Sequence, residues 1–197
     1  DIPGTRTQPT NNSKGCGGVM RAAPAGLVTD DAILAYRLGC DLAALTHGHA
    51  TGWIAAGAFA AIICELAQGA DPAAAVQTGL LLAKGEEAGN EVAEALSAAI
   101  AASERPELSV TEIEELGAGW IAEEALAISV ACFLTDLTPR EQLLLAVNHS
   151  GDSDSTGSIL GNLIGAAKGH RAIPAEWSRN LEMSGAIRSV ATELHDS

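Results

Sequence analysis

Asn148-His149-Ser150-Gly151-Asp152-Ser153-Asp154-Ser155-Thr156-Gly157, continued by Gly161, Gly165 and Gly169, is the stretch on which the reading of the fold turns. The glycines recur every four residues, a row that drifts slowly around one face of a helix running from about Ser155 to Lys168. Glycine in a helix interior costs roughly 1 kcal/mol relative to alanine. The row therefore predicts a central helix with another backbone packed against its glycine face, the geometry that G-x-x-x-G provides in membranes.

The loop before that helix is rich in hydroxyl and carboxylate side chains. Asp152 and Asp154 repel each other unless positive charge sits between them, and hard divalent cations take oxygen ligands of this kind. Helix capping is the other open reading, because Ser, Asp and Thr are favoured at helix N-termini. It accounts well for one Asp and poorly for a second. Asp152-x-Asp154-x-Thr156-Gly157 also imitates the first half of an EF-hand loop, but the twelfth position, which needs a bidentate Glu, is Leu163.

Working outward, helical signals run through almost the whole chain. Pro24 and Gly26 punctuate a first short helix. Asp30 or Asp31 caps a helix reaching about Leu45, and Thr51 or Gly52 opens an apolar one to Gln68. Asp71-Pro72 starts a helix to about Gly85. Further helices are predicted over Glu91 to Ser103, Val110 to Leu116, Trp120 to Leu134, from Thr138-Pro139 to Val147, and Ala175 to Leu194. No segment shows sustained strand alternation, so the fold class is all-α, a compact multi-helix domain over residues 1-197. Aromatic residues make up only 3% of the chain, so the core must be built from closely approaching small-residue helices. The start, with Pro3, Gly4 and Pro9, reads like the middle of a protein, and the expectation is an N-terminal segment missing before Asp1.

A net charge of −14 argues against binding to a nucleic-acid backbone. It does not exclude an anionic ligand held by a local cradle of N–H groups. The apolar run from Ala50 to Cys64 is short for a membrane span and is read as a buried core helix. Cys16, Cys40, Cys64 and Cys132 form no C-x-x-C pair and are read as reduced thiols of a cytoplasmic protein.

Ser13-Lys14-Gly15-Cys16-Gly17-Gly18 precedes Val19-Met20-Arg21 at a helix start. Such a loop can turn its N–H groups toward a phosphate or diphosphate, or it can be a tight structural turn. It lacks the G-K-[ST] ending of a P-loop and the preceding strand of a dinucleotide fingerprint. Arg21 is expected to meet a ligand phosphate or, more simply, an acidic side chain. Thr46-His47-Gly48-His49 ends a helix, where capping competes with metal binding. His149 is a candidate neighbour of the Asp-rich loop, whereas His170 and His195 read as surface residues. Thr29-Asp30-Asp31 looks like an acidic metal pair but sits where a helix cap belongs.

Together these segments resemble the ADP-ribosylglycohydrolase family, which includes the dinitrogenase-reductase-activating glycohydrolases. Asn12-Ser13-Lys14-Gly15-Cys16-Gly17-Gly18-Val19-Met20-Arg21-Ala22-Ala23-Pro24 is similar to the family's S-x-G-x-G-x-x-M-R-x-A-P loop. Leu45-Thr46-His47 is similar to its Thr-His motif, Gly119 to Leu126 to a recurrent helix, and Gly151-Asp152-Ser153-Asp154-Ser155 to its G-D-[TS]-D-[TS] metal motif. The resemblance implies an all-α hydrolase that removes ADP-ribose from a modified side chain or related conjugate, using two Mg2+ or Mn2+ ions. It implies Asp152, Asp154 and Ser155 as metal ligands, and Ser13, Lys14, Gly15, Cys16, Gly17 and His47 as contacts to ADP-ribose or an ADP-ribosylated protein. The family's Thr-Asp-Asp-Thr motif, with the remaining metal ligands and the catalytic acid or base, belongs to an N-terminal segment that has no counterpart here. The chain's own missing segment is thus an expected partner. A non-catalytic relative that keeps the fold, and a hydrolase of another nucleotide or phosphorylated substrate, are the rival readings.

Overall fold

In the computed structural model, which describes residues 3–179 and 181–196, the chain is helical throughout and no strand is present among the described residues. Helices α1 (Gly17–Met20), α2 (Ala32–Ala44), α3 (Ala50–Ala67), α4 (Pro72–Lys84), α5 (Asn90–Ser103), α6 (Val110–Glu114), α7 (Ala122–Phe133), α8 (Pro139–Val147), α9 (Ser153–Lys168), α10 (Ala175–Ser178) and α11 (Ser184–His195) follow one another, with a 3-10 turn over Ala23–Gly26.

Helix α3 is the axis of the core. Ile54 through Cys64 and Leu66 are buried on all sides of it, which explains why its hydropathy is high without a clear apolar stripe. It is long and apolar enough to cross a membrane, yet 78% of it is buried inside the fold, so it is a core helix. Helices α2 and α4 flank α3. Helix α7, buried along almost its whole length, lies between α5 and α9 and also meets α3. Each large aliphatic side chain so buried contributes roughly 1.5–3 kcal/mol. With few aromatics, close approach replaces bulk. A Cβ on Gly57 of α3 would stand 2.4 Å from Cys40 Sγ and 2.8 Å from the Tyr36 carbonyl of α2.

Local signals set most helix starts. Asp31 accepts from the N–H groups of Ile33 and Leu34, and Asp71 caps α4 with Pro72 behind it. Ser109 with Glu112 and Thr138 with Glu141 form reciprocal capping boxes at α6 and α8. Thr29-Asp30-Asp31 is therefore a helix start, as its position suggested.

Two expectations are corrected. Among the described residues the glycine face of α9 does not receive another backbone: a Cβ at Gly161, Gly165 or Gly169 would meet nothing within 4 Å, and one at Gly157 would meet only Val147 Cγ1 at 2.7 Å. The helix packs instead through Ile159, Leu160, Leu163 and Ile164 on its other face. Gly169 has its own reason, a φ of 74° where the chain leaves α9. The helix predicted over Ala175 to Leu194 is divided into α10 and α11, and Met183, at a φ of 58°, stands at the start of the second.

The two kinds of glycine should separate in denaturation experiments. Gly57→Ala should destabilise the chain by about 1–3 kcal/mol through overpacking. Gly161→Ala, in open space on a helix, should stabilise it by up to about 1 kcal/mol. A destabilising Gly161→Ala would show that its face is covered in solution.

Candidate functional site

Three loops are fastened to one another by backbone hydrogen bonds. Gly15 pairs antiparallel with Ile121. The Cys16 N–H donates to the Trp120 carbonyl at 3.2 Å, and the Ala122 N–H to the Lys14 carbonyl at 2.9 Å. One step further, the Asp152 N–H donates to the Ala118 carbonyl at 2.8 Å. Gly151 must be glycine, because a Cβ there would lie 1.9 Å from the Ala118 oxygen. Two glutamates hold the loop ends: Glu124 Oε2 accepts from the N–H groups of Ala118 (2.9 Å) and Gly119 (3.1 Å), and Glu114 Oε1 from that of Ser150 (2.9 Å). The glycine-rich loop, the start of α7 and the start of α9 thereby meet at one point.

Asp152 stands at that point. It is the residue before α9, but its side chain makes no capping bond to the first turn. Its Oδ2 accepts instead from the Cys16 thiol at 3.0 Å and the Ser155 hydroxyl at 2.8 Å. Ser155 also contacts Cys16 Sγ (3.3 Å) and Met20 Sδ (3.1 Å). Asp152 is 6% exposed and has no ion pair among the described residues. Burial by itself would raise its pKa, but the bonds from Cys16 and Ser155 outweigh it and hold the carboxyl below the ordinary range. Burial pushes the Cys16 thiol up, which keeps it an S–H donor. Asp154 is exposed on the first turn of α9. A buried, unpaired carboxylate beside a hydroxyl and a second carboxylate is an oxygen set of the kind hard cations take. No group of three or more His, Cys, Asp and Glu side chains placed to hold a metal is found among the described residues. The EF-hand imitation fails structurally too, since the helix begins at Ser153 and leaves no twelve-residue loop.

His149 braces the loop from behind. Its Nδ1 accepts from the Gly151 N–H at 3.0 Å, which leaves Nε2–H to donate to Thr156 Oγ1 at 3.0 Å. Thr156 Oγ1 in turn donates to the Ala146 carbonyl at 2.7 Å.

The residues expected to hold ADP-ribose fall on both sides of the glycine-rich loop. Cys16 faces Asp152. On the other side, His47 Nε2 would lie 3.6 Å from a Cβ at Gly15 and 3.3 Å from one at Gly17. Ser13 Oγ accepts from the Gly15 N–H at 3.3 Å and shapes the turn. The Lys14 ammonium is taken up by Glu123 (2.5 Å) and Glu91 (2.9 Å), and those bonds raise its pKa. Glu91 also accepts from Thr51 Oγ1 at 2.8 Å. Arg21 does not meet the acidic side chain expected from sequence: it forms no salt bridge among the described residues and donates to the Leu42 carbonyl and the Thr46 hydroxyl. His49 caps α3 by accepting from the Thr51 N–H, so the His pair diverges. Sequence reasoning gave no role to Glu123, 7% exposed with its Oε2 unpartnered among the described residues, although it lies within the Gly119 to Leu126 stretch that resembles a family helix. An apolar groove of about 610 Å3 lined by Ile173, Leu181, Ile187 and His195 lies beyond the C-terminus of α9, at the opposite end of that helix from Asp152.

An all-helical fold carrying a glycine-rich loop against an acidic helix start defines the class of protein. The chain belongs to the ADP-ribosylglycohydrolase family, whose model matches residues 3–197. It is 31% identical over 183 residues to an uncharacterized protein of Archaeoglobus fulgidus, covering 92% of this chain and 58% of that protein. It is similar to a solved structure, an ADP-ribosylglycohydrolase-related protein complex, at a TM-score of 0.76 and 26% identity, covering 93% of this chain and 60% of the other. The chain thus spans about three-fifths of the length of these relatives.

The balance at Asp152 is directly measurable. Its carboxyl carbon should titrate below the ordinary Asp value of about 3.9 in the unaltered chain. In Cys16→Ala/Ser155→Ala the two largest lowering bonds are lost while burial and the smaller contributions of Asp154 and the Ser155 backbone remain, and the midpoint should move upward. A depressed carboxyl contributes stability above the ordinary range and loses it as pH falls through the depressed value. An unchanged midpoint in carbon-13 titration of the double variant would refute the assigned donors.

Proposed function

We propose that this chain forms the metal- and diphosphate-holding part of a glycohydrolase that removes ADP-ribose from a modified protein side chain or a related conjugate. The observation that carries this reading is the Asp152 carboxylate, buried and without an ion pair among the described residues, fastened beside the glycine-rich loop. Asp152, Asp154 and Ser155 would hold Mg2+ or Mn2+. When bound, the ions supply Lewis acidity toward the sugar hydroxyls and water.

The chain's own residues do the positioning. The Ser13–Gly17 turn and His47 would hold the diphosphate, with Lys14 contributing backbone because its ammonium is engaged by Glu91 and Glu123. His149 fixes the Asp152 loop through Gly151 and Thr156. Cys16 and Ser155 keep Asp152 ionised and ready for a cation. The general acid or base is assigned to no residue here; a segment bearing the family's Thr-Asp-Asp-Thr motif would supply it with the remaining metal ligands.

The coverage of three-fifths of the relatives gives weight to a second reading, in which the chain alone binds ADP-ribose without cleaving it. Calorimetry with Mn2+ and then ADP-ribose separates the cases. Asp152→Asn should weaken Mn2+ binding by about tenfold or more, the equivalent of about 1.4 kcal/mol. Hydrolysis should require a supplied N-terminal segment. No ADP-ribose heat at millimolar concentration would overturn the binding claim, and full activity of a reconstituted Asp152→Ala protein would overturn the metal assignment.

A further inference from the structure

Arg21 poses a question that its charge does not answer. In a chain with a net charge of −14, it pairs with no carboxylate among the described residues. Its Nη2 reaches the Leu42 carbonyl at 2.9 Å, in the last turn of α2, where the negative end of a helix dipole favours a cation. The same nitrogen lies 2.5 Å from Thr46 Oγ1, and Thr46 Oγ1 lies 2.8 Å from His47 Nδ1.

The direction of these bonds follows from donor and acceptor chemistry. A guanidinium has no acceptor, so Thr46 Oγ1 must accept from Arg21. The single hydroxyl proton is then free to donate, and no other partner meets that oxygen among the described residues. Donation to Nδ1 satisfies both groups. The opposite arrangement, Nδ1–H donating to Oγ1, would fill both lone pairs of that oxygen with donors and turn the hydroxyl proton out to solvent. The arrangement that satisfies both groups within the protein places the imidazole proton on Nε2. No protein acceptor meets Nε2 among the described residues, and it lies on the side of the ring nearest Gly15 and Gly17, where a Cβ at Gly17 would crowd it at 3.3 Å. Burial, and after it the nearby Arg21 charge, lower the pKa of His47, in keeping with a neutral ring.

We propose that Arg21 and Thr46 are positioning residues that fix His47 as its Nε2–H tautomer, so that the ring offers a hydrogen-bond donor to a diphosphate oxygen in the Gly15–Gly17 turn. The inference rests on the reading of that turn as a ligand cradle. Through this relay the Arg21 charge acts on a bound anion without touching it. His47 donates a hydrogen bond and neither moves a proton nor binds metal.

Nitrogen-15 NMR of the full chain without ligand tests the relay. Long-range proton–nitrogen correlations, assigned to His47 by His47→Gln, should show one tautomer with Nδ1 unprotonated and Nε2 protonated. Thr46→Val should give a mixture of tautomers, and Thr46→Ser should restore the single one. Arg21→Met, which leaves Thr46 in place, should also give a mixture. ADP-ribose affinity should fall about tenfold in Thr46→Val and recover in Thr46→Ser, the loss expected for one misdirected hydrogen bond. An Nδ1–H or doubly protonated His47 in the unaltered chain, or an unchanged tautomer in Thr46→Val and Arg21→Met, overturns the proposal. If the tautomer behaves as stated but ADP-ribose does not bind the unaltered chain, the relay stands and the ligand reading fails.

Discussion

Everything at the site depends on one short backbone pairing, Gly15 against Ile121. Its hydrogen bonds are worth only about 0.5–1.5 kcal/mol each in net terms, but they set position. They carry Cys16 to the start of α7, and the next loop bond, from the Asp152 N–H to the Ala118 carbonyl, carries α9 to the same place. Cys16 and Asp152 are 136 residues apart in sequence, and only this fastening puts the thiol within 3.0 Å of the carboxylate. The rigid helices behind it, α3 and α7, serve as the wall against which the loops are pinned.

The same fastening is what lets an acidic chain offer a backbone cradle to the proposed anionic ligand. Net charge acts over distances that salt screens within about 10 Å, whereas a turn of backbone N–H groups acts at contact. Lys14 shows the division of labour. It sits in the glycine-rich loop, yet its charge is spent on Glu123 and Glu91, tying the loop to α7 and α5. On the His47 side of the loop, where a ligand is proposed, the nearby positive charge is that of Arg21, linked through Thr46 to His47.

Much of this was readable from sequence, and the boundary between what was and was not has a physical cause. Helix starts encoded by a side chain and its own next turn were legible: Asp31, Asp71, Ser109 and Thr138 cap where their spacing says they should. The acidic loop and the glycine-rich loop were recognisable as motifs, and the fold class followed from the absence of strand alternation. Encounters between distant segments were not legible. Nothing local tells that Lys14 will meet Glu91 and Glu123, or that Arg21 will end on the carbonyl end of α2 instead of on an acid. The glycine row on α9 shows the converse. Its spacing is a true helical pattern, but spacing records which residues share a face and not what covers that face; here the apolar residues of the other face do the packing.

Ser155 is where the sequence pattern and the packing explain each other. The resembling motif more often has Thr at this position, and either residue keeps the hydroxyl that donates to Asp152. In this chain the hydroxyl is hemmed by Cys16 Sγ and Met20 Sδ at 3.3 and 3.1 Å, and the residue is 2% exposed. A γ-methyl would compete with those two sulfurs for the same volume. Both sulfurs come from the glycine-rich loop and the short helix it opens, so the size of the residue at 155 and the approach of that loop to α9 are set together. With Ser at this position the Cys16 thiol donates to Asp152 at 3.0 Å, and that donation helps hold a buried carboxylate ionised.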